Sequence, residues 1–240
     1  MDLSSLMALL LIGHVLGDFY FQSNEMAVGK VSKNIMEKRK WMTVHGVAYA
    51  ACMAVVLFAG TELSLEVLWA FLTVALIHIL IDIFKYHITW KPFVVDQFLH
   101  ILTLAVASLI FSRYIGVKGF MAENHHYLLM VLGLLVVVRP IGLLIESRDI
   151  WQLEESENLE QGERMRNTSR MIGYLERIIV FFLLLLGQYS AIALVIAAKS
   201  IARFPEIKDD EGRLKADYYI IGTMLSLACV LLIAATLGLM

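Results

Sequence analysis

The chain has 240 residues, 59% hydrophobic and 18% charged, where a soluble domain carries about 25% charged residues. A net charge of −2 excludes a bulk electrostatic partner, so no nucleic acid is expected. Cys52 and Cys229 lie in separate apolar blocks without paired spacing, which excludes a disulfide framework and a cysteine zinc site and leaves two small buried hydrophobes.

The apolar residues form seven blocks, near 3–21, 41–60, 67–85, 94–113, 127–146, 178–198 and 218–238. Each can cross a bilayer, which takes about 20 residues as a helix. Backbone groups in lipid must be bonded internally. The pattern therefore predicts an all-α, polytopic integral membrane helix bundle of about seven transmembrane helices. It divides into a four-helix half, 1–126, and a three-helix half, 127–240, with a cytoplasmic charged loop at 147–173.

The first block, opening MDLSSLMALLLIG, lacks a basic leader region and a small-residue cleavage site, so it is expected to be a retained membrane helix. It carries His14 and Asp18 four positions apart, with Gly13 and Gly17 at the GxxxG spacing that lets helices approach closely. The loop after it holds Lys30, Lys33, Lys38, Arg39 and Lys40. His45 sits near the start of the second block. The next loop, TELSLE, has no cation. The third block ends on His78 and Asp82, followed by Lys85 and Lys91. The fourth opens on Asp96 and His100, and Arg113 and Lys118 follow it.

The fifth block contains Arg139 before Pro140, and the polar stretch after it carries Arg148, Arg164, Arg166 and Arg170. Its portion 151–170 is expected to be a cytoplasmic loop with an exposed helix. Lysine and arginine thus favour the odd-numbered loops, which places these in the cytoplasm and the N-terminus outside. Lys199, Arg203, Lys208, Arg213 and Lys215 break that pattern if 178–198 crosses once. The soft middle GQYS, 187–190, offers a broken hairpin as the alternative; the 21 apolar residues match the bilayer and predict a single span.

With this orientation His14, Asp18, His45, His78, Asp82, Asp96 and His100 fall in one layer, within roughly 10 Å of the cytoplasmic surface at about 1.5 Å per helical residue. A carboxylate at the centre of a membrane helix costs about 2.5–3.5 kcal/mol on insertion scales. Several at one depth must compensate each other or line a wet cavity. A lone intramembrane histidine is more often a hydrogen-bonded core residue than a ligand. Repetition at a common depth is what favours a shared site, with a proton relay as the competing use of the same groups.

Imidazole with carboxylate is a ligand mix for a divalent metal, Zn²⁺ or Mn²⁺ foremost. His14, His45, His78, Asp96 and His100 are the expected ligands. Asp18 or Asp82 is the expected general base, and a surplus of donors allows two ions or one ion with an orienting shell. Gln22 and Gln97 extend the polar faces. Lys85, Arg139 and Arg177 are the expected contacts for an anionic group on a substrate. No GxGxxG, Walker, GxSxG or HExxH pattern occurs, which argues against a P-loop nucleotide hydrolase, a serine hydrolase and a zincin.

The run GHVLGDFYFQS, then His45, HILIDIFK and DQFLH, resembles an uncharacterised family of bacterial inner-membrane proteins, the domain of unknown function DUF3307. The likeness covers the first hundred residues, and GYLERIIVF and AAKSIARF resemble the C-terminal part of longer members. It implies a multi-pass protein of the bacterial inner membrane and supplies no activity. A more distant similarity is to bacterial membrane proteins described as metal-dependent hydrolases, by analogy of His and Asp at helix ends.

Together these features lead to the expectation of a metal-dependent membrane hydrolase. Its partner is a membrane lipid or another amphiphilic substrate, such as a phosphorylated lipid, met at the cytoplasmic interface, and a homo-oligomer is compatible with the sequence. A divalent-cation or proton transporter using the same residues is the alternative, and a non-enzymatic subunit with a structural metal is the third reading.

Overall fold

Four stripes, each repeating at every fourth residue and buried but for Asp18 and Asp96, organise the N-terminal part of the protein. The computed structural model describes residues 2–85, 93–146, 159–203 and 210–239. The stripes are Leu6, Leu10, His14 and Asp18; His45, Tyr49, Met53 and Leu57; Ala70, Val74, His78 and Asp82; and Asp96, His100, Leu104 and Ser108. Residues four apart share one helix face, so each stripe presents an apolar end and an ionisable end to its neighbours.

The stripes lie on α1 (Asp2–Val15, continued by a π-turn Leu16–Tyr20), α3 (Ile35–Gly60), α4 (Leu65–Lys85) and α5 (Phe93–Phe111). Helix α1 packs on α3, α3 on α4, α4 on α5, and α5 back on α1, which closes a four-helix bundle. The ionisable groups sit at the C-terminal ends of α1 and α4 and the N-terminal ends of α3 and α5. An antiparallel arrangement therefore gathers all of them at one end. The opposite faces are also apolar: Leu72, Leu76, Leu80 and Ile83 on α4, and Phe98, Leu102, Val106 and Leu109 on α5, are exposed. Apolar residues on both faces mark helices surrounded by lipid.

Close packing at the site end depends on glycine. A side-chain carbon at Gly17 would stand 2.7 Å from the Tyr49 ring, and one at Gly13 would stand 2.9 Å from Met53 Sδ. The GxxxG pair is thus the seam between α1 and α3. The short α2 (Asn24–Gly29) is capped by Ser23, whose hydroxyl accepts from Met26 N–H at 3.2 Å, and packs on α3, with Gly29 directly against the Trp41 indole.

At the far end of the bundle Thr61 pairs with Val117 in an isolated bridge, and Lys118 donates to the carbonyls of Phe58 and Ala59 that close α3. The helices α6 (Gly119–Glu123) and α7 (His125–Val138) follow.

The chain forms two compact units, Met1–Leu135 and Val136–Met240. In the second, α8 (Pro140–Glu146) follows the break at Arg139, where Pro140 has no N–H to continue the helix. Helices α9 (Leu159–Leu185), α10 (Tyr189–Arg203) and α11 (Asp210–Thr236) complete it. All described elements are helical.

Five helices among the described residues are long and apolar enough to cross a membrane: Leu3–Tyr20, Ile35–Gly60, Leu65–Phe84, Phe93–Phe111 and His125–Ile145. They correspond to the first five expected spans; the later apolar helices Tyr189–Ile201 and Ile220–Thr236 are shorter.

One expectation needs correction. The single span over 178–198 is a fold-back: α9 ends at Leu185, Gly187 adopts φ +66°, and α10 starts at Tyr189. Lys199 of α10 returns to within 2.5 Å of Glu176 on α9. Glycine supplies the left-handed turn that other residues resist, and that local preference overrides the apolar length of the block. The helix expected within the charged stretch is present, as α9 begins at Leu159 and runs unbroken into its apolar half. Its segment LEQGERMRNTSRM has helix-forming residues and no proline. Residues 147–158 lie outside the described residues.

Candidate metal centre

Each ionisable stripe end delivers its groups to one buried cluster in the first unit. His14, His45, His78 and His100 are 1–2% exposed and Asp82 is 4% exposed. The side chains of Asp18 and Asp96 retain 9% and 11% exposure and form the rim. Asp18 is brought inward by the π-turn, in which Phe21 N–H bonds Leu16 C=O at 2.9 Å, five residues back. One extra residue in that turn re-aims the carboxylate toward α3 and α4; such turns recur at functional sites.

The tightest group is a triangle. Asp18 Oδ1 lies 3.3 Å from His45 Nε2 and 3.3 Å from His78 Nε2, and the two imidazole nitrogens are 3.2 Å apart. Donors about 2.0–2.1 Å from a tetrahedral zinc ion stand about 3.3–3.4 Å from one another, the edge of the tetrahedron. The triangle therefore has the dimensions of one face of such a site. Lone pairs converging this closely repel unless protons or a cation stand between them. Asp82 Oδ2 is 3.3 Å from His45 Nε2 but 4.0 Å from His78 Nε2, beside the fourth corner rather than on it.

Asp82 is shared. Its Oδ2 also accepts from Lys30 Nζ at 2.7 Å, and that ammonium donates to Gln22 Oε1 at 2.8 Å. Its Oδ1 faces His100 Nε2 at 3.8 Å, and His100 Nε2 is 3.6 Å from Asp96 Oδ1. Asp18 is divided in the same way, with Oδ2 3.8 Å from His14 Nδ1. Gln97 links the outer members: His14 Nε2 and Gln97 Oε1 are 3.3 Å apart, and Gln97 Nε2 donates to Asp96 Oδ2 at 3.3 Å. Ligand atoms of His14, Asp18 and His78, of His45, His78 and Asp82, and of Asp82, Asp96 and His100 lie close enough to hold an ion in each case.

The His78 ring is held by Tyr49, whose ring stacks on it at 3.5 Å between centroids and 6° between planes. His78 Nδ1 has no hydrogen-bond partner among the described residues, so stacking fixes this ring.

A model of the protein family of unknown function DUF3307 matches residues 6–131. The chain belongs to the DUF3307 family. The matched stretch contains every member of the cluster and Lys30, and it ends before the second unit begins, so GYLERIIVF and AAKSIARF lie outside it. No curated protein and no solved structure matches the chain.

All seven layered groups expected from sequence thus meet within the DUF3307 region. The expected substrate contacts are Lys85, Arg139 and Arg177. Lys85 closes α4, and its side chain lies outside the described residues. Arg139 and Arg177 belong to the second unit. There Arg177 is 5% exposed and donates from Nη2 to the Val138 carbonyl at 3.0 Å, beside Gly142 and Gly173. It satisfies an acceptor at the helix break before Pro140, a structural task.

Two residues of the site were missed in the sequence: Lys30, counted only as a loop charge, and Tyr49, counted only as apolar. Tyr49 had a usable signal, since it follows His45 by four on the same face.

Proposed function

We propose that the cluster binds a divalent metal ion, Zn²⁺ or Mn²⁺, and hydrolyses an amphiphilic substrate at the cytoplasmic face of the bacterial inner membrane. The observation that carries this reading is the triangle of Asp18 Oδ1, His45 Nε2 and His78 Nε2, with edges of 3.2–3.3 Å. Three protein donors leave a fourth corner for water, the pattern of catalytic rather than structural zinc. Bound there, the ion would lower the pKa of that water toward about 7.

Asp82 Oδ2, 3.3 Å from His45 Nε2, would serve as the base for such a water, with its carboxylate held by Lys30, which Gln22 holds in turn. The rim at Asp18, Gln22, Asp96 and Gln97 is half-buried and adjoins the exposed apolar side chains of Phe21, Val94, Val95 and Phe98. A substrate with an apolar tail in the lipid would reach the centre along that edge. The fold-back between α9 and α10 also supports the orientation, because residues 178–198 need not carry the cations after them across the bilayer.

Conduction of ions or protons is less well supported. Beyond the cluster the bundle core is Leu6, Leu9, Leu10, Met53, Leu57, Val67, Val74 and Leu104. The buried hydroxyls of Ser5, Thr61 and Ser108 there are bonded to His125, Leu57 C=O and Ala105 C=O. A polar row continuing to the other side is absent among the described residues.

The test is turnover of a lipid ester and a lipid phosphate in nanodiscs, with the protein stripped of metal and reloaded with Zn²⁺ or Mn²⁺. Turnover should require the ion and disappear in Asp82→Asn while the ion held by Asp18, His45 and His78 stays bound. Turnover by stripped protein, or Mn²⁺ flux into proteoliposomes that Asp82→Asn abolishes, would overturn the proposal.

A further inference from the structure

The triangle uses Asp18 Oδ1, and Asp82 Oδ2 stands beside it; a second donor set, which includes the other oxygen of Asp82, gathers at His100. His100 Nε2, Asp82 Oδ1 and Asp96 Oδ1 are within 3.6–3.8 Å along the two edges that meet at the histidine. One ligand atom from each of the three residues lies within 4.8 Å of the others. His100 is 2% exposed, and its Nε2 is buried with no hydrogen-bond partner among the described residues. A buried imidazole nitrogen aimed between two carboxylate oxygens is a ligand position rather than a packing accident.

We infer that a second divalent ion binds to His100, Asp96 and Asp82, making the centre dinuclear, and that the pair of ions takes a phosphate monoester. The inference rests on the metal-centre reading above and adds the second ion and the substrate class. Asp82 would be the link: Oδ1, 3.8 Å from His100 Nε2, would serve the second ion, and Oδ2, 3.3 Å from His45 Nε2, would stand beside the first. Dinuclear phosphatase centres hold their ions about 3.5–4 Å apart and clamp both the attacking and the leaving oxygen. The wider spacing around His100 suits an ion that keeps water or substrate oxygens as its remaining ligands.

Charge selects the substrate. With imidazoles in their neutral, ligating form, the described cluster holds three carboxylates, Asp18, Asp82 and Asp96, and one ammonium, Lys30. One divalent ion cancels the resulting two negative charges. A second ion leaves two positive charges in a buried site, which a phosphate monoester dianion offsets and a neutral ester does not.

The reaction is a hydrolysis. The water oxygen bonds to phosphorus, the bond from phosphorus to the alkoxyl oxygen breaks, and the water proton passes by Asp82 Oδ2 to the departing alkoxide. The products are the alcohol and inorganic phosphate, with no oxidant or further reactant.

The test counts ions in purified full-length protein reloaded with Mn²⁺, reads spin coupling by electron paramagnetic resonance, and titrates inorganic phosphate by calorimetry. The wild type should hold two ions per chain with an exchange-coupled signal and bind phosphate. His100→Ala and the milder Asp96→Asn should hold one uncoupled ion and lose phosphate binding at least tenfold. One ion per chain in the wild type, or two in both variants, would overturn the second site while leaving the first. Phosphate binding unchanged in the one-ion variants would overturn the substrate class. No ion in the wild type would remove the metal-centre reading itself.

Discussion

Lys30 Nζ lies 2.7 Å from Asp82 Oδ2, a buried ion pair between residues fifty-two positions apart in the chain. Both partners are under 8% exposed in their side chains. The pair brings the loop after α2 down onto the end of α4, and it ties the orientation of Asp82 to a cation outside the helix bundle.

Removing one member of a buried pair leaves the other charge uncompensated, at about 3–5 kcal/mol. Lys30→Met should therefore lower the melting temperature of metal-free protein in detergent, and added Zn²⁺ or Mn²⁺ should restore much of the loss by neutralising Asp82. A melting temperature that falls equally with and without metal would show that Asp82 does not face the ion.

Gly17 is the contact that lets Tyr49 reach His78. A methyl group at Gly17 would meet Tyr49 Cδ2 at 2.7 Å and Tyr49 Cα at 3.1 Å, and the backbone atom cannot move aside cheaply. Gly17→Ala should cost about 1–3 kcal/mol by overpacking and weaken metal binding. Gly222→Ala on α11, where nothing among the described residues lies within 4 Å, is the control and should lower neither stability nor metal affinity. Calorimetric metal titration of both variants checks the pair; equal affinities would mean that the seam does not position the ligands.

Tyr49 should act through its ring and not its hydroxyl. The parallel stack on His78 at 3.5 Å predicts that Tyr49→Phe keeps metal affinity and that Tyr49→Leu weakens it by about 0.5–1.5 kcal/mol, the worth of an aromatic pair. Loss of metal in Tyr49→Phe would assign the hydroxyl a role instead.

Arg177 should matter for folding and not for metal. Its bond to the Val138 carbonyl at 3.0 Å is at a helix break, and leaving such an acceptor unsatisfied costs about 1–3 kcal/mol. Arg177→Met is expected to lower thermal stability while metal content stays at the wild-type value. A metal-replete, fully stable variant that fails only in substrate affinity would return Arg177 to the anion-binding role expected from sequence.

The fold-back at Gly187 is open to direct cross-linking. Glu176 and Lys199 meet at 2.5 Å, so Glu176→Cys with Lys199→Cys should be joined by a short bifunctional thiol reagent in intact membranes. In a continuous helix from 178 to 198 the two positions would stand more than 30 Å apart at about 1.5 Å per residue, and no short reagent would join them.

The membrane helices and the polar layer were legible because both are periodic. His and Asp four apart on three helices, with His45 on a fourth, define faces without any knowledge of contacts. Three things were not periodic. Lys30 reaches Asp82 only through the tertiary path of the loop, so its sequence neighbourhood shows an ordinary basic loop. The π-turn at Leu16–Tyr20 adds one residue to a helix without a sequence signature, and it decides which way Asp18 points. Gly187 sits in a block whose length alone fits a bilayer, and hydropathy averages over the one residue that turns the chain.

The central claim is that Asp18, His45 and His78 hold one divalent ion, and X-ray absorption at the zinc edge tests it most directly. Zinc-loaded wild type should show nitrogen and oxygen donors at about 2.0–2.1 Å with the multiple-scattering pattern of imidazole, reduced in both His45→Ala and His78→Ala. A shell of water oxygens alone, or an imidazole pattern unaltered in both variants, would contradict it.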